Sequence, residues 1–205
     1  MKKTLFAAAA VAAFAFSGCS GNDSAQNESA EAHTEEMEHE TLPISVVVET
    51  PTFESVAEPF QTQVEELVGE YMKMKDALVN SNTEATQAAA KEVLRVAQAM
   101  PLGTLTTDEK AFAEEHTAEV ITSADKIANA TDLDEQRGNL ELLSEAVFSL
   151  AKAFGAADGE LYYQHCPMAL NGDGGYWLSS DKAIRNPYFG EQMMSCGSTE
   201  EVYKK

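Results

Sequence analysis

Sulfur, imidazole and basic charge are all scarce in this chain. Its 205 residues hold three cysteines, one tryptophan and four histidines, and only 14 Lys and Arg against 34 Asp and Glu. The formal charge of −20 leaves no basic face, which excludes nucleic acid as a partner. No Cys-x-x-Cys pair occurs, so a thioredoxin-like redox centre is excluded. Paired Glu-x-x-His motifs are missing, which excludes a di-iron carboxylate bundle. The loop Asn171-Gly172-Asp173-Gly174-Gly175 lacks the spacing and terminal Glu of a calcium loop. Covalent catalysis needs a nucleophile, a base and an orienting partner. The one pair on offer is Cys166 beside His165, and adjacent side chains seldom converge, so no enzyme is expected.

The apolar run Leu5 to Phe16 is too short for a permanent membrane anchor. Lys2 and Lys3 precede it and Ser17-Gly18-Cys19 follows, the layout of a secretory signal over residues 1–18. Phe16-Ser17-Gly18-Cys19 also resembles a bacterial lipobox, with Phe where Leu is usual, so Cys19 is expected to be lipidated. Cleavage there removes two lysines and takes the formal charge to about −22. Export to the cell envelope follows, with a lipid anchor in a membrane on the periplasmic side or at the cell surface.

Residues 19–53 read as an acidic, disordered tether. Ser20 to Thr41 has no aromatic and almost no aliphatic residue, too little to offset the entropy of ordering. His33, Met37 and His39 lie there among glutamates. Imidazole and thioether are competent copper ligands, but a solvated spacer accounts for the tract. Ile44 to Val48 is a short β-prone run between Pro43 and Pro51.

Four helical patterns follow. Apolar residues recur at three- and four-residue steps from Glu54 to Asn80, from Thr83 to Met100, from Thr106 to about Ala130 and from Asp132 to Gly155. Thr106 with Glu109 is a capping box, and Gly155 a C-terminal stop. Short connections predict antiparallel neighbours, hence an all-α fold: an up-down four-helix bundle over 54–157. His116 is expected at the boundary of the third helix's apolar stripe, satisfied by its neighbours rather than ligating, and Arg137 is expected to reach a carboxylate on a neighbouring helix. Residues 158–205 are expected to form an irregular, turn-rich lobe of the same domain.

That lobe carries the chemistry. His165-Cys166-Pro167-Met168 puts imidazole, thiol and thioether within four residues, and Met193, Met194 and Cys196 form a second soft cluster some thirty residues later. Two thiolates and a thioether suit a soft cation, Cu(I) above all. Ag(I) is equally soft, whereas Zn prefers four Cys or His ligands and finds only Cys166, Cys196 and His165. The other reading is a Cys166–Cys196 disulfide stapling a structural or partner-docking domain, worth about 3 kcal/mol or more in the chain-entropy model.

The stretch Tyr162-Tyr163-x-x-Cys166-Pro167-Met168-Ala169, with Gly175-x-Trp177-Leu178-Ser179, Ile184-x-Asn186-Pro187-Tyr188-Phe189-Gly190 and Met193-x-x-Cys196-Gly197, resembles the DUF3347 family of exported bacterial domains. Lys75-Asp76-Ala77-Leu78-Val79, Gln136-Arg137 and Leu143-Ser144-Glu145 fit as well, so the resemblance covers roughly 60–200. The family has no settled activity. Similar domains are found alone in lipoproteins or fused to periplasmic adaptor subunits of heavy-metal efflux pumps. The resemblance therefore implies copper or related metal handling, efflux adaptor or pump components as partners, and Cys166, Met168, Met193 and Cys196 as ligands. The expected function is a lipid-anchored protein that holds a soft heavy-metal ion for sequestration or delivery to efflux.

Overall fold

A computed structural model describes residues 47–205. The signal, Cys19 and the tether as far as residue 46 lie outside the described residues.

Helix α1 (Glu58–Val79) begins with Pro59 in its first turn, where a missing N–H is harmless, and buries Phe60, Val64, Leu67, Tyr71 and Leu78. It starts one turn later than its apolar pattern because Ser55 is left-handed, at φ 60°. Asn82 caps α2 (Thr83–Gln98), its Oδ1 accepting the Ala85 N–H at 3.0 Å. Helix α3 (Thr107–Asn129) carries the expected cap, the Glu109 carboxylate accepting the Thr106 N–H at 2.7 Å.

The fourth pattern breaks in two. Asp132 caps α4 (Leu133–Gly138) as predicted, accepting the Glu135 N–H at 2.8 Å. Gly138 favours helix poorly, and the Asn139 side chain donates back to the Glu135 carbonyl at 2.9 Å, ending the turn before α5 (Leu140–Ala153) begins. The described residues thus hold five helices. Helix α1 packs on α2, α2 on α3, α3 on α5, and α5 back on α1, enclosing one apolar core.

The fold is mostly helical but not all-α. In place of an irregular lobe, β1 (Leu161–Cys166), β2 (Gly175–Ser179) and β3 (Ser198–Tyr203) form an antiparallel sheet in the order β2-β1-β3. Strand β1 escaped detection because both its faces are covered, leaving an aromatic-rich run without the polar alternation of a half-exposed strand. Strand β3, at the edge, is too polar to stand out.

Alternation along β1 gives each face a different neighbour. Tyr163 and His165 look toward α5: Phe148 stacks on Tyr163 at 4.9 Å, Tyr163 on Tyr176 at 5.1 Å, and Tyr176 meets His165 at 4.2 Å. Gln164, Cys166 and their neighbour Trp177 look the other way, beneath the segment 180–197. Gln164 Nε2 donates to the Asp181 carbonyl at 3.0 Å, and Tyr188 packs edge-on against Trp177. Among the described residues no helix is long and apolar enough to cross a membrane.

The incoming chain is also fixed. Residues 47–53, assigned above to the tether, lie along the domain. Val47 and Val48 both donate backbone N–H groups to Glu201 Oε2 (2.8 and 2.9 Å), and Phe53 N–H reaches the Ala153 carbonyl at 2.8 Å. Lys152 completes the clasp with an ion pair to Glu201 and a bond to the Val48 carbonyl.

Candidate sulfur site

Cys166 ends β1 and is fully buried; Cys196, one residue removed from the start of β3, is half-buried. Their Sγ atoms are 3.2 Å apart, and both are free thiols. Two features of the chain bring them together. Asn186 clamps the returning segment: its Nδ2 donates to the Cys196 carbonyl at 2.8 Å, its N–H to the Met194 carbonyl at 2.9 Å, and its Oδ1 accepts the Tyr188 N–H at 2.8 Å. Gly197 then allows close passage. At φ 141° a Cβ there would lie 2.7 Å from the His165 carbonyl oxygen and 2.9 Å from the Trp177 ring.

The electrostatics favour the neutral thiol. The hydrogen bond with Cys166 is the main influence raising the Cys196 pKa, followed by burial and the charge of Cys166. A thiolate pair here would need a cation close by to be stable. The separation lies between the ~2.05 Å of a disulfide and the roughly 3.8 Å of two thiolates on one tetrahedral ion with ~2.3 Å bonds. A disulfide requires the sulfurs to close by about 1.2 Å, and a shared tetrahedral ion requires them to part by about 0.6 Å.

The other expected ligands fall in different places. His165 sits on the opposite face of β1, against Tyr176 and beside Gly174, as strand alternation dictates. Met168, 54% exposed, lies beyond Pro167 on the wall of a separate cavity. Met193 and Met194 are half-buried in the turn leading to Cys196, and the Met193 carbonyl accepts the Cys196 N–H at 3.1 Å. Among the described residues no three His, Cys, Asp or Glu side chains converge as a metal-holding group. His116 lies mid-helix in α3 at the edge of the core, partly buried, packed on Phe112 at 4.3 Å with Nδ1 3.3 Å from Glu119.

Residues 67–159 match the family described as "Protein of unknown function (DUF3347)". The chain carries a DUF3347 domain. The match runs from Leu67 in α1 past the end of α5 and stops two residues short of β1. The sulfur pair and the sheet thus lie C-terminal to the matched part of the DUF3347 domain. No curated protein and no solved structure matches the chain.

The sequence showed Asn186 and Gly197 only as motif positions, without the clamping role of the one or the close passage at the other. The signal available was the pair of residues itself: an Asn-Pro and a Cys-Gly flanking one short loop. Arg137 is a correction. Among the described residues it reaches no carboxylate on a neighbouring helix; Nε donates to the Pro187 carbonyl at 2.8 Å and Nη2 to Ser81 Oγ at 3.0 Å. The helix ends one residue later at Gly138, which turns the side chain out of a helix–helix face and toward the loops.

Proposed function

We propose that this DUF3347 protein is an exported lipoprotein that holds a soft heavy-metal ion, Cu(I), between Cys166 and Cys196, for sequestration or delivery to an efflux system. The observation that carries this reading is the 3.2 Å approach of two free thiols, one of them fully buried. Thiolate is the preferred donor of Cu(I), and two such ligands satisfy an ion that tolerates low coordination. Met193 or Met194, adjoining Cys196 in the chain, supplies the supporting thioether; Met168 and His165 are less well placed. For the scaffold, we take α4 and α5 together as the broken fourth helix of an up-down bundle, which the cyclic packing of α1, α2, α3 and α5 supports.

The test is a Cu(I) competition titration against a chromophoric chelator on reduced mature protein, with Cys166→Ser and Cys196→Ser alongside. One ion per chain, lost in both variants, is the expected result. Wild-type retention no better than that of the variants rules the proposal out. The same approach of the two sulfurs supports a second reading, a disulfide-stapled docking domain, because an exported chain meets an oxidising compartment. Mass spectrometry of untreated protein from the envelope separates the two: a mass lower by two hydrogens selects the disulfide.

A further inference from the structure

A cavity of about 300 Å³ lies where α4 meets the loops of the C-terminal lobe, lined by Asp134, Arg137, Met168, Leu170, Tyr188 and Phe189 among others. Its volume is on the order of ten water-sized volumes, room for one small organic molecule. Three features distinguish it from a packing gap between loops. The first is Arg137. Its guanidinium is half-buried, and no carboxylate lies within ion-pair distance among the described residues. Nε and Nη2 are committed to neutral oxygens, of Pro187 and Ser81, while Nη1 has no partner there. Burial pulls its pKa below the ordinary value, the mark of a cation short of compensating charge.

The second feature is how firmly the guanidinium is held. Ser81 is left-handed at φ 53°, and Gly190, at φ 56°, packs so closely that a Cβ would lie 2.6 Å from Ser81 Oγ and 3.6 Å from Arg137 Nη2. The third is the cavity wall itself. Leu170 (φ 50°) and Asn171 (φ 64°) are consecutive left-handed residues without the freedom of glycine, and strain of this kind concentrates at ligand sites. Asp134 stands one turn before Arg137 on the same wall but beyond ion-pair distance, so the cavity presents separated opposite charges. Met168, Leu170 and Phe189 supply apolar surface.

We infer that this cavity binds a small zwitterion of the apolar amino-acid class, its carboxylate on Arg137, its ammonium toward Asp134 and its side chain on the apolar wall. A fixed guanidinium recognises a planar carboxylate better than a point charge does. The exposed Asp134 contributes a modest affinity confined to ligands with a free amine. The site is independent of the sulfur pair and of any metal held there.

The experiment is a ¹H–¹⁵N NMR titration of the full mature chain with L-leucine and L-phenylalanine, and with leucinamide and N-acetyl-L-leucine as singly charged controls. Saturable shifts at Arg137, Leu170, Asn171 and Phe189 are expected with the free amino acids, and at least tenfold weaker binding with the amide. Asp134→Asn, a surface change that leaves the fold intact, is expected to weaken L-leucine at least threefold and to leave N-acetyl-L-leucine unchanged. The inference is overturned if neither amino acid gives saturable shifts, or if leucinamide binds as well as leucine. Equal weakening of leucine and N-acetyl-L-leucine by Asp134→Asn overturns it as well.

Discussion

Gly197 lets the chain cross within van der Waals distance of His165 and Trp177, and so sets Cys196 against Cys166. Both atoms that a Cβ would meet are held, one in the backbone of β1 and one in a fully buried ring. Gly197→Ala is therefore expected to cost about 1–3 kcal/mol and to slow oxidation of the thiol pair; urea denaturation and timed trapping with a maleimide read the two effects. Cys196 also carries a pH signature. Its pKa is raised on folding, so the reduced protein keeps this contribution below the unfolded thiol's range and loses it as pH climbs through the folded value. Because the Cys166 hydrogen bond is the leading cause, Cys166→Ala is expected to move the alkylation profile of Cys196 to lower pH. An unmoved profile would assign the shift to burial instead. The cysteines were legible as a candidate pair because the residue type is scarce. That His165 faces away was not, because the reading missed a strand, and only strand alternation separates two adjacent side chains.

At the scale of elements, the clasp made by the 47–53 segment, α5 and β3 rests on one buried carboxylate. Glu201 receives two backbone N–H groups and the Lys152 ammonium, which also lies 5.2 Å over the Phe148 ring. Glu201→Gln leaves the partly buried Lys152 ammonium with only the Val48 carbonyl and is expected to destabilise by about 1–3 kcal/mol; a double-mutant cycle with Lys152→Met should recover part of that loss. Within α1, Gly69 is exposed, and an added Cβ meets nothing within 4 Å. Gly69→Ala should stabilise by about 0.8–1 kcal/mol in thermal or chemical unfolding. Helices α1, α2 and α3 were legible because a one-sided apolar stripe and a capping residue act locally. The break between α4 and α5 was half-legible, since Gly138 was in view but the back-bond from Asn139 depends on its rotamer. Strand β3 was not legible at all, because its pairing with β1 joins residues some forty apart and its glutamates look solvated until Lys152 is placed beside Glu201.

For the whole molecule, the state of the sulfur pair decides how the loop between β1 and β3 is tied back to the sheet. Closing the 166–196 loop is worth about 3–4 kcal/mol in the chain-entropy model. For a domain of this length that is roughly ten degrees in melting temperature. On the proposed reading Cu(I) would stabilise the reduced form instead by mass action, about 2.7 kcal/mol with free ion held at a hundred times Kd. The two bonds compete for the same sulfurs, so the oxidised protein should melt highest and be indifferent to buffered Cu(I). The reduced protein should melt lowest and rise with each increment of free Cu(I). Cys166→Ser should melt near the reduced form under every condition. Calorimetry across these three preparations therefore reads staple and metal site separately. A reduced protein whose melting temperature ignores Cu(I) would leave the pair as a staple alone, while an oxidised protein that melts no higher than the reduced one would show that packing holds the 166–196 loop without it.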